Sequence, residues 1–252
     1  MRLRDKVAFI TGAGRGIGQE IAATFYAEGA AVILNDIEGP LVEAALKRMN
    51  IPEDKGLALP GDVAEVEDVR RIMGRIRSTY GRIDILVNNA GIRKDVVFPD
   101  MTEKDWDLVM SVQLKGTFNC CRTAVPPMIE QRSGIILNIS SPVPAALGKS
   151  GQVNYASASA GLEGFTRALA LELGPYNIRV NCISPDYIYT EMTRNAALKE
   201  GFYFQDLQKF VVADIPLKRL GTTADVAKVA LFFASEESAF VTGQVLYVRG
   251  GP

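Results

Sequence analysis

The sequence predicts an α/β fold in which a parallel sheet carries helices on both faces. Short apolar runs rich in β-branched residues alternate along the chain with longer segments of helical periodicity. A glycine-rich segment joins the first apolar run to the first helical segment. No internal repeat, low-complexity tract or linker-like composition divides the 252 residues. We therefore expect a single domain spanning residues 1–252.

The individual elements follow from the spacing of apolar residues. Apolar runs bounded by turn-forming residues predict strands at 7–10, 31–34, 85–87, 135–137, 178–180 and 245–248. Helical spacing predicts helices at 16–28, 40–49, 66–80, 102–124, 154–173 and 223–234. Thr102 followed by Asp105 is a capping pattern, and Gly174-Pro175 ends a helix.

The segment 191–214 is the least regular part of the chain. It contains the aromatic residues Phe202, Tyr203, Phe204 and Phe210. These side chains either pack a surface helix or form a mobile lid over an apolar substrate pocket. We predict a lid, because loops near an active site commonly close over it.

Composition narrows the classes of partner and of chemistry. The 28 basic and 29 acidic residues give a net charge of -1 with no basic stripe, so neither nucleic acid nor a membrane surface is expected as a partner. The first apolar run is about six residues long, and we expect no signal peptide or membrane anchor. The chain has no histidine, which excludes Ser-His-Asp, Cys-His and histidine-based zinc sites.

Cysteine usage points to a reducing compartment. Cys120, Cys121 and Cys182 are odd in number, and their spacing fits neither a metal site nor a disulfide framework. We expect a cytoplasmic protein without a bound metal. Any proton transfer must then use tyrosine, lysine, serine or carboxylate side chains.

The glycine-rich segment 11–18 predicts a dinucleotide site. Gly12, Gly16 and Gly18 permit a tight turn and close backbone approach between the first strand and the first helix. The helix start at Gly16-Ile17 would present free N–H groups and a partial positive charge to a pyrophosphate.

Two charged residues bear on the choice of cofactor. Asp36 ends the second strand, where a carboxylate can accept hydrogen bonds from both adenosine ribose hydroxyls and would repel a 2′-phosphate. Arg15 has the opposite tendency, because a guanidinium could pair with that phosphate. We favour NAD over NADP. The alternatives are that Asp36 is an ordinary turn residue and Arg15 a solvated loop charge.

Several motifs together carry a family resemblance. Residues 11–18, Asn88-Asn89-Ala90-Gly91 and Tyr155 occur in the order typical of the short-chain dehydrogenase/reductase family. The resemblance spans the whole chain through Gly61-Asp62-Val63, Asn138-Ile139-Ser140-Ser141, residues 185–190, residues 216–221 and Thr242-Gly243-Gln244. It implies a Rossmann-type, doubly wound, seven-stranded sheet and a homotetramer or homodimer.

The resemblance also implies a reaction and a set of cofactor contacts. The reaction is hydride transfer between a nicotinamide cofactor and a secondary alcohol or ketone. Asp62 and Val63 are expected at the adenine, with Asn89, Ala90 and Gly91 supporting the cofactor. Ile188 and Thr190 are expected at the nicotinamide, and Pro185 is also expected to bind the cofactor.

In that family a serine, a tyrosine, a lysine and an asparagine form the catalytic relay. Tyr155 matches the proton-transferring tyrosine, and Ser141 the serine that polarises the substrate oxygen. Ser140 is the weaker candidate because strand alternation would point it to the opposite face. The asparagine position holds Gln113, and the lysine position holds Ser159, which shares a helix face with Tyr155 and is also expected near the cofactor.

The serine at 159 cannot supply the charge by which the family's lysine favours an ionised tyrosine. Because carbonyl reduction needs the protonated phenol and alcohol oxidation needs the phenolate, we expect a bias toward reduction. The alternatives are a non-catalytic, dinucleotide-binding homologue or inactivated variant, and a relative that uses the nucleotide for dehydration or epimerisation. Lys149 is either a substitute cation or an exposed loop lysine.

Two more departures from the family pattern lie near the cofactor end. Asp186 replaces a glycine and either alters the nicotinamide side or serves as a turn residue. Arg249 replaces an aspartate and is expected to affect subunit contacts. The expected pocket residues, which indicate a hydrophobic ketone or alcohol substrate, are Phe98, Pro144, Leu147, Tyr187 and the 191–214 segment.

Overall fold

A computed structural model describes residues 1–141, 148–191, 193–194 and 211–251 of the chain. Its seven strands form one parallel sheet in the order β3-β2-β1-β4-β5-β6-β7. They are β1 Val7–Ile10, β2 Ala31–Leu34, β3 Gly56–Ala58, β4 Ile85–Asn88, β5 Gly134–Ile139, β6 Ile178–Pro185 and β7 Val245–Val248. The predicted fold class, a doubly wound seven-stranded α/β domain, is confirmed.

Helices connect the strands and cover both faces of the sheet. They are α1 Gly16–Ala27, α2 Gly39–Arg48, α3 Val66–Tyr80, α4 Glu103–Met110, α5 Gly116–Gln131, α6 Val153–Leu173 and α7 Thr223–Ala234. A π-helical turn, Ser111–Lys115, joins α4 to α5. Short 3₁₀ turns lie at Phe98–Asp100, Gly174–Tyr176 and Glu236–Ser238.

The two faces of the sheet bury two separate apolar cores. Ile10 contributes to the core shared with α1, α2 and α7, whereas its neighbour Phe9 contributes to the core shared with α3, α5 and α6. Alternate side chains of β2 and β4 divide in the same way, with Leu34 in the first core and Ile33 in the second. A parallel sheet covered on both faces needs strands that are apolar throughout, which is why the strands read as continuous apolar runs.

Two elements differ from the sequence prediction. The sequence pattern did not predict β3, a strand of only three residues that begins with a glycine. The single helix predicted at 102–124 is divided by the π-helical turn, and its second part continues through Pro126 and Pro127 to Gln131. In the described ranges, no helix is long and apolar enough to cross a bilayer.

Candidate active site

A cavity of about 820 Å³ opens at the carboxyl ends of the strands. It extends from the turn after β1 across the ends of β2, β4 and β5 to the segment after β6. In an open α/β sheet this edge binds ligands at the point where the strand order reverses, which is between β1 and β4 in this sheet. The cavity therefore lies where the topology predicts a site.

Close backbone packing shapes the glycine turn after β1. Gly12 has a φ of 60°, and a Cβ there would lie 2.9 Å from the Cα of Ala90. A Cβ on Gly18 would lie 2.5 Å from both Asn89 Nδ2 and the Gly12 carbonyl oxygen. Only glycine fits at either position without displacing the neighbouring loop.

Hydrogen bonds fix this turn to the loop that follows β4. Asn89 Nδ2 donates to the carbonyl oxygens of Thr11 and Gly12, at 3.0 and 2.9 Å. The Thr11 Oγ1 accepts from the backbone N–H groups of Asn89 and Ala90, both at 3.0 Å. Among the described residues, no side chain caps the twelve-residue helix α1, and its first turn has no acidic residue. These features fit a bound pyrophosphate, because the helix offers it free N–H groups.

Several carboxylate side chains lie at the far end of the glycine turn. Asp36 follows β2 and accepts hydrogen bonds from the backbone N–H groups of Gly14 and Glu38, both at 3.3 Å. Arg15 forms exposed ion pairs with Glu38 at 3.5 Å and with Glu191 at 4.0 Å. The Arg15 guanidinium, which could bind a 2′-phosphate, thus already pairs with two carboxylates.

Hydrogen bonds also position the loop after β3 beside this end of the cavity. Asn35 Nδ2 donates to the carbonyl oxygens of Leu59 and Gly61, at 3.0 and 2.9 Å. Asp62 Oδ1 accepts from the Ala64 N–H at 2.8 Å, and Val63 packs against Gly116. Asp62 and Val63 thus line the cavity next to Asp36.

Tyr155 lies in the first turn of α6 and lines the cavity. Ser141, just after β5, and Gln113, on the π-helical turn, line the same cavity and act on the Tyr155 phenol. Burial raises the pKa of Tyr155, while the Arg93 charge and the hydrogen bonds from Ser141 and Gln113 act in the opposite direction. The phenol is therefore protonated at neutral pH.

The comparisons with known proteins agree with this geometry. A family model described as enoyl-(acyl carrier protein) reductase matches residues 12–252. A 3-oxoacyl-[acyl-carrier-protein] reductase of Thermotoga maritima is 42% identical over 100% of this chain and 99% of its own length.

The chain belongs to the short-chain dehydrogenase/reductase family.

Other members are similarly close. The (2S)-[(R)-hydroxy(phenyl)methyl]succinyl-CoA dehydrogenase subunit of Thauera aromatica is 41% identical over 100% of this chain and 98% of its own length. The solved structure of levodione reductase superposes with a TM-score of 0.93 at 33% identity, covering 99% of this chain and 98% of that one. The protein is thus an oxidoreductase of this family, and relatives named as reductases and as dehydrogenases are equally close.

Most of the predicted site residues line the cavity together. They are Gly12, Arg15, Gly16, Ile17, Asp36, Asp62, Val63, Asn89, Ala90, Gly91, Gln113, Ser141, Tyr155, Pro185, Ile188 and Thr190. Gly18 lies behind the turn, against Asn89. Ser159 also lies outside the lining.

Ser159, which the resemblance aligns with the family's lysine, is enclosed within the protein. Ser159 is 0% exposed, and within the described part of the chain its Oγ has no hydrogen-bond partner. Its carbonyl oxygen accepts the Ser140 hydroxyl at 3.0 Å, which directs Ser140 toward α6. A direct contact of Ser159 with cofactor stays a prediction.

The π-helical turn brings Gln113 into the site. The Gln113 side chain is buried and packs on Gly91. A Cβ on Gly91 would lie 3.2 Å from Gln113 Nε2. The Gln113 Oε1 lacks a hydrogen-bond partner among the described residues. Such one-turn widenings of a helix frequently occur at functional sites.

The nicotinamide side of the predicted site is formed by the segment after β6. Asp186 Oδ1 accepts the Tyr187 N–H at 2.8 Å, and Tyr187 has a positive φ of 52°. Burial raises the pKa of Asp186, and the charges of Arg249 and Lys149 oppose that shift. Lys149 lines the cavity, as does Tyr187.

Of the other predicted pocket residues, Phe98 lies outside the cavity lining and several lie outside the described residues. Phe98 is 67% exposed and is not part of the lining, because the 3₁₀ turn Phe98–Asp100 directs it to solvent. Pro144, Leu147 and most of the predicted lid, including its four aromatic residues, lie outside the described residues. No group of three or more histidine, cysteine or carboxylate side chains in the described ranges could hold a metal.

Sequence reasoning missed part of the cavity wall. The lining also includes residues that were not predicted, namely Arg93, Leu108, Val112, Gln152 and Leu220. Arg93 lies two residues after the Asn88–Gly91 motif. Its position next to a recognised cofactor motif was the signal that could have identified it as a site residue.

Proposed function

We propose that the protein reduces a carbonyl group to a secondary alcohol with a nicotinamide cofactor. The observation that carries this proposal is the position of Tyr155, which lines the cavity together with Ser141 and Gln113 and whose pKa is raised by burial. A bound cofactor supplies the hydride that the carbonyl carbon receives. Tyr155 gives its proton to the carbonyl oxygen, and the Ser141 hydroxyl donates a hydrogen bond that orients the same oxygen.

The substrate class we propose is a 3-oxoacyl thioester with an apolar acyl group. Two relatives that cover the whole chain have names that specify acyl groups on acyl carrier protein or coenzyme A. The wall of the same cavity includes apolar side chains, among them Leu108, Val112 and Val211. An apolar wall with a few polar groups is the usual composition of a site for such a ligand.

Kinetics with purified protein test the reaction. Reduced cofactor consumption is measured with a short 3-oxoacyl thioester and with simple hydrophobic ketones, for the unchanged protein and for Tyr155→Phe. We expect Tyr155→Phe to lower the rate about 10²-fold or more while the affinity for the reduced cofactor stays within about twofold.

The outcomes separate the alternatives. If the unchanged protein binds reduced cofactor but no carbonyl compound is turned over faster than with Tyr155→Phe, the protein is the non-catalytic alternative. If the bound nucleotide supports only dehydration or epimerisation, the protein is instead a relative that catalyses one of those two reactions.

We also propose NAD(H) as the preferred cofactor. Asp36 and Glu38 line the cavity at its adenosine end, and Arg15 is paired with carboxylates. We expect Asp36→Ser to weaken NADH binding about tenfold and to strengthen NADPH binding, because a ribose hydroxyl partner and a phosphate-repelling charge are both lost.

Titration of tryptophan or cofactor fluorescence with each reduced dinucleotide measures these affinities. Glu53→Gln removes an exposed carboxylate outside the cavity lining and serves as the control. Unaltered selectivity in Asp36→Ser would reject the assignment. A homotetramer or homodimer and a cytoplasmic location also stay predictions.

A further inference from the structure

Arg93 is a partly buried cation in the same cavity as Tyr155. Its side chain is 18% exposed and lines the cavity. The guanidinium pairs with Asp95 through two of its nitrogens, Nε and Nη2. Two contacts between a planar guanidinium and a carboxylate fix orientation as well as distance.

Three hydrogen bonds fasten the Arg93 loop to the start of α6. The Val96 N–H donates to the Gly151 carbonyl oxygen at 2.8 Å. Gln152 Nε2 donates to Asp95 Oδ2 at 3.0 Å, and Asn154 Nδ2 donates to the Lys94 carbonyl oxygen at 3.0 Å. The ion pair is therefore held in place relative to the helix turn that carries Tyr155.

The buried Asn154 links this loop directly to Tyr155. Its side chain is 0% exposed, and its Oδ1 accepts the backbone N–H of Tyr155 at 2.8 Å. The same amide group bonds the Lys94 carbonyl oxygen through Nδ2. One buried side chain thus connects the backbone beside Arg93 with the backbone of Tyr155.

Few charges act on the Tyr155 hydroxyl from the surrounding elements. Within the described part of the chain, those of Arg93 and Asp95 act on it, and the Arg93 effect is the larger. Ser141 and Gln113 face the hydroxyl as neutral groups. Lys149 and Asp186 line the same cavity, and their charges act on each other. Ser159, one helical turn along α6, has no charge.

We propose that Arg93, with Asp95 as its counter-ion, is a positioning residue that sets how readily Tyr155 releases its proton. It takes over, from the loop after β4, an electrostatic function that the family assigns to a lysine on α6. This inference rests on the proposed function of Tyr155. A cation in the same cavity as Tyr155 favours the phenolate, and the adjacent carboxylate opposes it.

Opposite substitutions in the pair distinguish electrostatics from structure. Arg93→Gln and Asp95→Asn both break the ion pair, so a purely structural pair would make the two variants change activity in the same direction. We expect opposite effects on alcohol oxidation at mildly alkaline pH. Arg93→Gln should slow it about fivefold and Asp95→Asn should accelerate it, because one removes a cation and the other an anion near the phenol.

The pH profile of oxidation is the decisive kinetic measurement. The alkaline limb should move to higher pH in Arg93→Gln and to lower pH in Asp95→Asn, and Arg93→Lys should restore the original profile. Lys94→Gln removes an exposed neighbouring charge that pairs with Asp105, and its profile should match that of the unchanged protein.

A spectroscopic titration works even without turnover. The ultraviolet difference between each protein and its Tyr155→Phe derivative follows ionisation of this one phenol. The proposal requires the apparent pKa to rise in the order Asp95→Asn, unchanged protein, Arg93→Gln. An identical pKa in all three, or a shift in the same direction in both variants, would overturn it, whether or not the protein reduces a carbonyl.

Discussion

At residue 159 the chain has a small hydroxyl in an enclosed position one helical turn from the phenol of Tyr155. The Ser159 side chain is fully buried and has no hydrogen-bond partner within the described ranges. A longer cationic side chain placed there would have to extend toward the cavity to remain solvated. The position therefore allows a direct experiment on the proton relay.

We expect Ser159→Lys to increase alcohol oxidation at neutral pH by about tenfold or more, because a nearby cation lowers the pKa of the phenol. The substitution should also lower the free energy of unfolding by on the order of 2 kcal/mol, since it places a charge in a buried position. Steady-state kinetics across pH and urea denaturation measure the two effects.

Ser159→Ala provides the matched control. It keeps the small volume and adds no charge, so neither the pH profile nor the stability should change appreciably. A Ser159→Lys protein with an unaltered oxidation profile would show that the cation does not reach Tyr155.

Residues of the site could be predicted where their neighbours in sequence are also their neighbours in the site. Gly12, Asp36 and Tyr155 fall in short local patterns, and the structure brings all three to one cavity. The placement of Arg93 depends instead on hydrogen bonds between the loop after β4 and the start of α6. The residues joined by two of these bonds are 57 and 60 positions apart in the sequence. No local pattern in the sequence records such contacts.

At the scale of the element, α7 begins with a capping box. The Thr222 side chain accepts the Asp225 N–H, the Asp225 carboxylate accepts the Thr222 N–H, and Arg219 pairs with the same carboxylate at 2.7 Å. We expect Thr222→Ala to lower the free energy of unfolding by about 1 kcal/mol, the usual cost of losing such a cap. Urea denaturation measures it, and Thr223→Ala, within the helix, should have a smaller effect.

Two carboxylates with lowered pKa values, Asp225 in this cap and Asp68 in α3, give stability a pH dependence with a definite sign. The hydrogen bond from Arg219 and that from the Thr222 backbone lower the pKa of Asp225, and Arg71 lowers that of Asp68. A depressed native pKa contributes stability above the unfolded value of about 3.9, and this is lost as the pH falls through the native pKa. We expect the free energy of unfolding to decrease below about pH 4, and less steeply in Asp225→Asn. A parallel decrease in both proteins would contradict this.

The elements that the sequence did not predict are those with weak or ambiguous periodicity. Strand β3 has only three residues and pairs along one edge with β2. The π-helical turn Ser111–Lys115 adds one residue to a helical turn, which hardly changes the spacing of apolar side chains. Its position had no local signal, although it places Gln113 next to Tyr155.

At the scale of the whole molecule, all three cysteines are enclosed by the fold. Cys120, Cys121 and Cys182 are free and buried, and burial raises the pKa of Cys121 and of Cys182 to about 12. We expect a thiol reagent to label almost no cysteine in the native protein at neutral pH and all three after denaturation. Labelling should be slower with bound dinucleotide, because the ligand stabilises the native state. Rapid labelling of the native protein would contradict the buried placement.

The fold class was predictable from the sequence because the pattern that determines it extends over the whole chain. Every strand that packs between two helical layers must be apolar along its length, so alternation of such runs with helices determines the architecture. The substrate lid predicted at 191–214 stays a prediction, since a pattern of aromatic side chains fits both a lid and a surface helix.

The position of β4 between β1 and β5 affects how the protein is made on the ribosome. Strand β1 pairs with β2 on one side and with β4 on the other, with Ala8 opposite Ile85. A nascent chain can complete the first pairing early, but one edge of β1 stays open until Ile85–Asn88 has been synthesised. An open, apolar strand edge readily pairs with other chains. One aggregation-prone stage of synthesis thus comes just before the loop after β4 adds its wall to the cavity.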